Sequence, residues 1–448
     1  MLGIPMIWNR SHILTWIAQR MSNRRAQLAA AVVAMIAIAS PQYTWTLFTI
    51  PVSKALHASL SDIQIAFTLF VVAQSWFVPL LGYAVDRFGA RIVVALGGAL
   101  VGLSWIGSGL ATSLLQLYIC YAIGGLGVGA VYGACLGLAL KWFPDRRGFA
   151  AGIAVGAYGS GAALLVVPIR RVIETEGYRA AFLGWGVLLG LVLIAVARPM
   201  VPPLTSGRLR VPADRQKGPK AVEPPACTPT QMIRSGAFHL MYVISVLVMF
   251  GGLLVGAQLK PLAVAYGVDK VVVLPGLDLL SFTLMANLLT AAMARPFWGI
   301  VSDRIGRELT MIVAFSLGGA AIFGLLETVR HPVGFAAFSS LIAFGWGAAF
   351  VVFSAAIGDM FGNEYAASNC GVHYTSKGVA AIFAGWGAAK VLEVTGSWLP
   401  VLWIGVFCNG MAVLLIALFL RPMVARIVRQ RAARLPIAPL GTAVHSGD

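Results

Sequence analysis

Arg295 and Lys377 each lie deep inside a long apolar stretch of the chain. Placing either residue type at the centre of a membrane helix costs roughly 2.5–3.5 kcal/mol on insertion scales. No carboxylate close to either one in sequence is placed to neutralise it. The candidate acids, Asp62, Asp278, Asp359 and Glu393, all fall near the ends of apolar stretches. Either each cation pairs with such an acid or lies at a lipid interface, or the missing counter-ion is a ligand. Arg offers a planar fork for bidentate binding and Lys a compact point charge, so one at each end would clamp a small dicarboxylate. An anion that enters and leaves such a site is a transported anion.

Depth is consistent with a site inside a membrane. Arg295 precedes Asp303 by eight residues, which at 1.5 Å per residue sets it about 12 Å below a surface that Asp303 marks. Lys377 lies near the middle of its own apolar stretch, too deep to snorkel out easily. Pro296 removes a backbone N–H and can bend the helix, leaving a carbonyl free near the cavity. His373 stands four residues before Lys377, on the same helical face. Beside a cation it should be mostly neutral, able to donate a hydrogen bond to substrate or to titrate and couple protons. The plain alternative is a core histidine bonded to a backbone carbonyl.

These residues need helices to hold them, and the composition supplies helices. The chain of 448 residues is 59% hydrophobic and only 11% charged, with mean hydropathy +0.85, whereas a soluble domain carries about 25% charged residues. The apolar stretches are near 20 residues long without strand-like alternation, so they read as membrane helices in an all-α protein. Twelve spans are expected, at about 28–50, 60–83, 91–111, 115–140, 148–169, 179–198, 237–260, 277–300, 309–328, 333–357, 366–391 and 398–420. The Pro- and Lys/Arg-rich stretch 199–236 reads as a disordered linker. The expected domains are an arm at 1–27, a six-helix half at 28–198, that linker, a second half at 237–421 and a tail at 422–448. Trp8, Ile13, Leu14, Trp16 and Ile17 would let the arm lie on a membrane surface or belong to a basic tail.

If both tails and every second loop share one side, that side holds 23 of the 33 Lys and Arg and the other side eight. The bias makes both termini and the linker cytoplasmic. Topology and anionic lipid account for the net charge of +17, with no need for nucleic acid. The five cysteines show neither C-x-x-C nor metal-ligand spacing with His and read as free thiols. No Ser/His pair, paired acids or metal cluster lies in the spans, so no enzyme, cofactor or metal is expected. A sensor would need a partner domain that short tails and one linker do not provide.

The two halves echo each other. Gly82-Tyr-Ala-Val-Asp86-Arg87-Phe-Gly89 and Gly299-Ile-Val-Ser-Asp303-Arg304-Ile-Gly306 follow the second and eighth spans. This doubled G-x-x-x-D-R-x-G resembles the signature of the major facilitator superfamily, which implies two pseudo-symmetric six-helix halves with the substrate between them at mid-membrane. Asp86 and Asp303 can cap a neighbouring helix, the glycines permit a tight turn, and Arg87 and Arg304 hold the cytoplasmic side. Gly82, Asp86, Arg87, Gly299, Asp303 and Arg304 are expected to act as gate and packing elements.

A narrower resemblance covers about residues 28–421. Pro41-Gln42-Tyr43-Thr-Trp45, Gly127-Val-Gly129-Ala-Val-Tyr132-Gly133, Trp142-Phe-Pro144-Asp145-Arg146-Arg147-Gly148, Ala157-Tyr158-Gly159, Arg295-Pro-Phe-Trp and Asn369-Cys-Gly-Val-His-Tyr-Thr-Ser-Lys377 resemble the oxalate/formate antiporter family. The resemblance implies that Arg295 and Lys377 bind carboxylates. It also implies a cavity lined by Gln42, Tyr43, Tyr132, Tyr158 and Trp346. Phe350 stands where that family has Tyr, Tyr374 where it has Trp, and His373 where it has an apolar or aromatic residue. Exchange of oxalate- or formate-type anions across the inner membrane by a monomer is therefore expected. A monocarboxylate carrier, with or without proton symport through His373, would use the same two cations.

Overall fold

The computed structural model describes residues 23–143, 147–201, 227–362 and 365–433. The arm before residue 23, most of the linker, the tail beyond 433 and Pro144, Asp145 and Arg146 lie outside the described residues, as does the side chain of Asp86.

The described chain is built almost entirely of helices. The first span is broken: α1 (Arg24–Tyr43) ends at Thr44 and α2 (Trp45–Leu56) begins one residue later. Pro41 lies inside the last turn of α1, and the Thr44 hydroxyl donates to the Ser40 carbonyl at 2.8 Å. Loss of a proline N–H together with side-chain competition for a helical carbonyl weakens the backbone ladder there. The break presents Gln42 and Tyr43 at mid-span. Next come α3 (Leu60–Trp76), α4 (Val78–Leu110), α5 (Leu114–Trp142), α6 (Arg147–Gly161), α7 (Ala163–Thr175) and α8 (Gly177–Ala197).

After the linker come a short α9 (Pro229–Ile233), α10 (Gly236–Ala265) and a two-strand hairpin of β1 (Val272–Leu274) and β2 (Leu277–Asp278). The hairpin occupies residues where the eighth span was expected to begin. Asp278 caps α11 (Leu279–Ile305), its side chain accepting from the Ser281 N–H at 3.3 Å. Then follow α12 (Arg307–Thr328), α13 (Pro332–Phe361), α14 (Ala366–Ile382), a π turn at Phe383–Gly387, α15 (Ala388–Thr395) and α16 (Leu399–Leu415). A second π turn leads into α17 (Arg421–Ala433). Eleven helical stretches among the described residues are long and apolar enough to cross a membrane, and Leu60–Trp76 is a shorter apolar helix. Their outward faces carry Leu96, Leu103, Leu164, Leu191, Met293, Phe407 and Leu418, all exposed. Such a surface suits lipid and identifies a multi-pass membrane protein.

Packing within residues 24–197 is heaviest where α4 meets α5 and α8; within 236–433 it is heaviest where α13 meets α11 and α12. Close approach depends on small residues. A Cβ on Gly97 would come within 2.9 Å of the Gly127 carbonyl, and one on Gly127 within 2.7 Å of the Gly97 carbonyl. That is the small-residue contact that lets membrane helices touch backbone to backbone. The two groups meet where α3 packs on α14, the π turn and α15, α2 on α10, and α6 and α7 on α11.

The repeated loop motif has a conformational basis. Gly89 and Gly306 hold the same position in the two copies, with φ/ψ of 80/157° and 90/162°. That region is essentially open only to glycine. The expected capping by Asp303 is corrected: its carboxylate accepts from Arg307 Nη1 at 2.6 Å, and no side chain caps the start of α12. Arg307 sits four residues beyond Asp303, just past the Gly306 turn at the start of α12, and it also reaches Asp359 at 2.9 Å. Arg304 is exposed, Arg87 lies over the Phe88 ring at 5.6 Å, and Gly299 packs on Val351 from within α11.

Candidate functional site

The two cations are buried: Lys377 is 1% and Arg295 7% exposed. The four acids that might have neutralised them are engaged elsewhere. Asp278 pairs with Arg170, Asp359 with Arg307, Glu393 with Lys390 at 3.2 Å, and Asp62 accepts from the Ser59 hydroxyl at 2.7 Å. Neither Arg295 nor Lys377 has a salt bridge to a carboxylate among the described residues.

The two side chains are satisfied to different degrees. Lys377 Nζ donates to Gln74 Oε1 at 2.9 Å, Gln42 Oε1 at 3.0 Å and the Tyr374 hydroxyl at 3.2 Å. Three acceptors match the three N–H donors of an ammonium group. Arg295 Nη1 donates to the Val155 carbonyl on α6, and Arg295 Nε is buried with no partner. Hydrogen bonds from a charged group contribute about 1.5–3 kcal/mol, and a buried donor without a partner carries a comparable cost. The arginine is thus the less satisfied of the two cations. Its guanidinium occupies space left by Gly159, where a Cβ would come within 2.8 Å of Nη1.

Aromatic rings join the cations. Arg295 Cζ lies 5.1 Å from the Phe350 ring centre, Phe350 is 6.3 Å from Tyr374, and Lys377 Nζ is 5.3 Å from the Tyr374 ring. Ring faces carry negative potential, so both contacts favour the cations without neutralising them. Tyr158 packs between Tyr43 at 5.5 Å and Tyr132 at 5.3 Å. Trp346 meets Phe350 edge-on at 4.9 Å and donates to Met249 Sδ at 3.2 Å. It fits because Gly252 lacks a side chain: a Cβ there would lie 2.1 Å from Trp346 Cγ. Gln42, Tyr43 and Trp346 also line an apolar cavity with Phe67, Leu284 and Leu288.

The structure therefore brings together Arg295, Lys377, Gln42, Tyr43, Tyr132, Tyr158, Trp346, Phe350 and Tyr374. It places His373 elsewhere. That ring is packed among Phe353 at 4.9 Å, Tyr242 at 6.3 Å and Phe238 at 6.5 Å, and its buried Nε2 has no hydrogen-bond partner. His373 shares a helical face with Lys377, yet its ring contacts lie to one side of the site. Four residues of α-helix turn the chain about 40° beyond a full circle, enough to direct His373 against α10 and α13.

Several participants went unnoticed in the sequence. Gln74 is the main one, and Gly159 and Gly252 make room for Arg295 and Trp346. The available signal for Gln74 was a carboxamide in mid-span, which has to find a partner inside the protein.

A second set of contacts crosses between the two helix groups nearer the end that carries Asp278. Arg170 on α7 pairs with Asp278 and donates to the Ser281 hydroxyl at 3.1 Å. Lys260 Nζ donates to the Leu47 carbonyl at 2.9 Å, and Glu393 accepts from the Ser61 N–H at 2.8 Å. Gln64 Nε2 donates to Gln258 Oε1 and to the Ala257 carbonyl, both at 3.0 Å. These bonds join the two helix groups on that side of the cations.

Residues 28–286 and 273–447 both match the sequence profile of the Major Facilitator Superfamily. The oxalate:formate antiporter of Oxalobacter formigenes is 34% identical over 427 residues, 95% of this chain and 97% of its own length. An uncharacterized MFS-type transporter of Escherichia coli (strain K12), YhjX, is 26% identical over 76% of this chain and 81% of its own length. Human monocarboxylate transporter 1 is 30% identical over a shorter region, 39% of this chain and 36% of its own.

Proposed function

The chain belongs to the major facilitator superfamily of membrane transporters, and we propose that it exchanges small carboxylate anions of the oxalate and formate type by alternating access. The observation that carries this reading is the pair of buried cations with no carboxylate partner among the described residues, one of them holding an unpartnered donor. The resemblance of Arg295 and Lys377 to the carboxylate-binding pair of the oxalate/formate antiporters, and the near full-length similarity to one such antiporter, support it.

In this reading the spans number twelve, in two six-helix halves that rock about the Arg295–Lys377 level, with both termini cytoplasmic and the inner membrane as the location. One carboxylate group takes the open side of the Arg295 fork and the other takes Lys377. Phe350, Tyr374 and the Tyr43–Tyr158–Tyr132 group enclose the flat anion. An empty site carries two like charges, and closing a low-dielectric cavity around them is costly. A dianion cancels both, a monoanion one. The loaded carrier therefore reorients readily and the empty one slowly, which produces exchange.

The apolar cavity beside Trp346, with Leu284 and Leu288 in its wall, favours a second reading, a monocarboxylate with a short hydrocarbon chain. Proton coupling through His373 has less support, because that ring lies in an aromatic cage.

The test is counterflow in liposomes. Labelled oxalate should enter rapidly only where vesicles hold unlabelled oxalate, and formate should compete. Entry of lactate or formate into empty vesicles, with no oxalate exchange, would replace this reading with the monocarboxylate one.

A further inference from the structure

Lys377 is held from across the bundle. Its two carboxamide partners belong to α1 and α3, whereas Lys377 belongs to α14. A third residue fixes the orientation of both amides. Gln74 Nε2 donates to the Tyr158 hydroxyl at 2.8 Å, and that hydroxyl donates its single proton to Gln42 Oε1 at 2.8 Å. Reversing either amide would set a donor against a donor. Lys377 and Tyr158 together thus commit both carbonyl oxygens to the ammonium group. Gln42 and Gln74 are each 2% exposed, so water does not replace them.

Two oxygens, about 3 Å from one ammonium and locked in orientation, reproduce what a carboxylate would present to it. They differ from a carboxylate in carrying no net charge. They satisfy the hydrogen-bonding capacity of Lys377 without cancelling its charge, so an arriving anion can displace them. Arg295 donates to the Val155 carbonyl and interacts with the Tyr43 hydroxyl, and its Nε is buried without a partner.

We propose that Gln74 and Gln42, oriented by Tyr158, act as an internal stand-in for the substrate carboxylate on Lys377, and that Gln74 thereby sets how tightly substrate binds and how readily the empty carrier returns. This rests on the anion-exchange reading above. The stand-in lowers the cost of enclosing Lys377 when no substrate is present, and the incoming anion has to displace it. It opposes affinity and permits a measured leak. It also ties the two helix groups together in the empty state, and carboxylate binding to Lys377 releases that tie.

The test compares wild type, Gln74→Leu and Gln74→Glu in liposomes. Each is followed for oxalate/oxalate exchange and for net oxalate entry into empty vesicles, with monodispersity in detergent as the check on folding. Gln74→Leu removes one stand-in oxygen. It should lower the half-saturating oxalate concentration roughly tenfold, the worth of one charge-assisted hydrogen bond, and raise the ratio of exchange to net entry. Gln74→Glu supplies a permanent counter-ion. It should raise the half-saturating concentration more than tenfold and lower that ratio. Opposite movements of affinity and coupling in the two variants are not what a merely structural residue gives, since damage would weaken transport in both. If Gln74→Leu fails to fold, Gln74→Met, nearer in shape, takes its place. Wild-type exchange with unchanged affinity and ratio in every variant overturns the stand-in alone. Wild-type protein that carries no carboxylate overturns the exchange reading and the stand-in with it.

Discussion

Replacing Gly159 with alanine tests whether the Arg295 fork is a positioned ligand. The added Cβ would lie 2.8 Å from Nη1, 3.3 Å from Cζ and 3.5 Å from Nη2. The guanidinium has to retreat by roughly half an ångström to reach ordinary contact. It is the free end of a flexible side chain, so folding should change little. The consequence falls on what the group can hold. Nη1 is anchored on the Val155 carbonyl and the group sits over Phe350, so retreat disturbs both contacts and turns the fork away from the cavity. Losing one of two charge-assisted bonds to a carboxylate amounts to about 1.5–3 kcal/mol. The half-saturating oxalate concentration should therefore rise roughly 10- to 100-fold. The assay is exchange in liposomes at matched protein content, with thermal unfolding in detergent alongside. Wild-type affinity in a folded Gly159→Ala protein would refute the placement of Arg295 in the site.

Three further outcomes follow. Arg295→Ala and Lys377→Ala should each abolish exchange while the protein remains inserted and monodisperse, and near-normal uptake in both, measured with labelled oxalate, would remove the basis of the proposed function. His373→Phe should retain exchange within about twofold and leave its pH profile unmoved, because the ring faces Phe238, Tyr242 and Phe353; a lost pH dependence would instead favour proton-coupled monocarboxylate transport. Asp278→Asn should loosen the joined side by about 1 kcal/mol, the low end for an ion pair because Arg170 is partly exposed. Ser281→Cys in that background should then react several-fold faster with a membrane-impermeant thiol reagent than in the unaltered one, and equal rates would exclude the Arg170–Asp278 pair as a latch.

The elements of this molecule are legible in its sequence for different physical reasons. Arg295 and Lys377 stand out because burying a cation in an apolar helix is expensive enough to demand a cause. Gly89 and Gly306 stand out because a motif repeats, and both adopt a backbone conformation that other residues rarely reach. Contacts between distant helices are another matter. Gly159 is one of 50 glycines until Arg295 is seen filling the space beside it. Gln74 reads as one tolerated amide between Ala73 and Ser75, since its partner lies 303 residues away. Asp303 has the right residue type to cap a helix, yet a stronger partner, Arg307, lies four residues on. His373 shows the limit of helical periodicity, which fixes an angle to within tens of degrees while a site needs better.

The inequality between the two cations bears on the order of events. Lys377 begins with all three donors engaged, and Arg295 begins with one donor buried and unpartnered. An entering carboxylate loses nothing by landing on Arg295, whereas at Lys377 it has to displace Gln42 and Gln74. Capture should therefore start at the arginine, and transfer to the lysine should be the step that frees the tie between α14 and the helices α1 and α3. A dicarboxylate can hold Arg295 with one end while the other end completes that displacement. A monocarboxylate has to do both with one group, or leave Lys377 with its amides. Preference for a dianion then arises at the second step. Gln74→Leu should widen the affinity gap between oxalate and formate, because it weakens the competitor that only the second carboxylate of the dianion has to displace. An unchanged or narrower gap in that variant would place the discrimination at Arg295 instead.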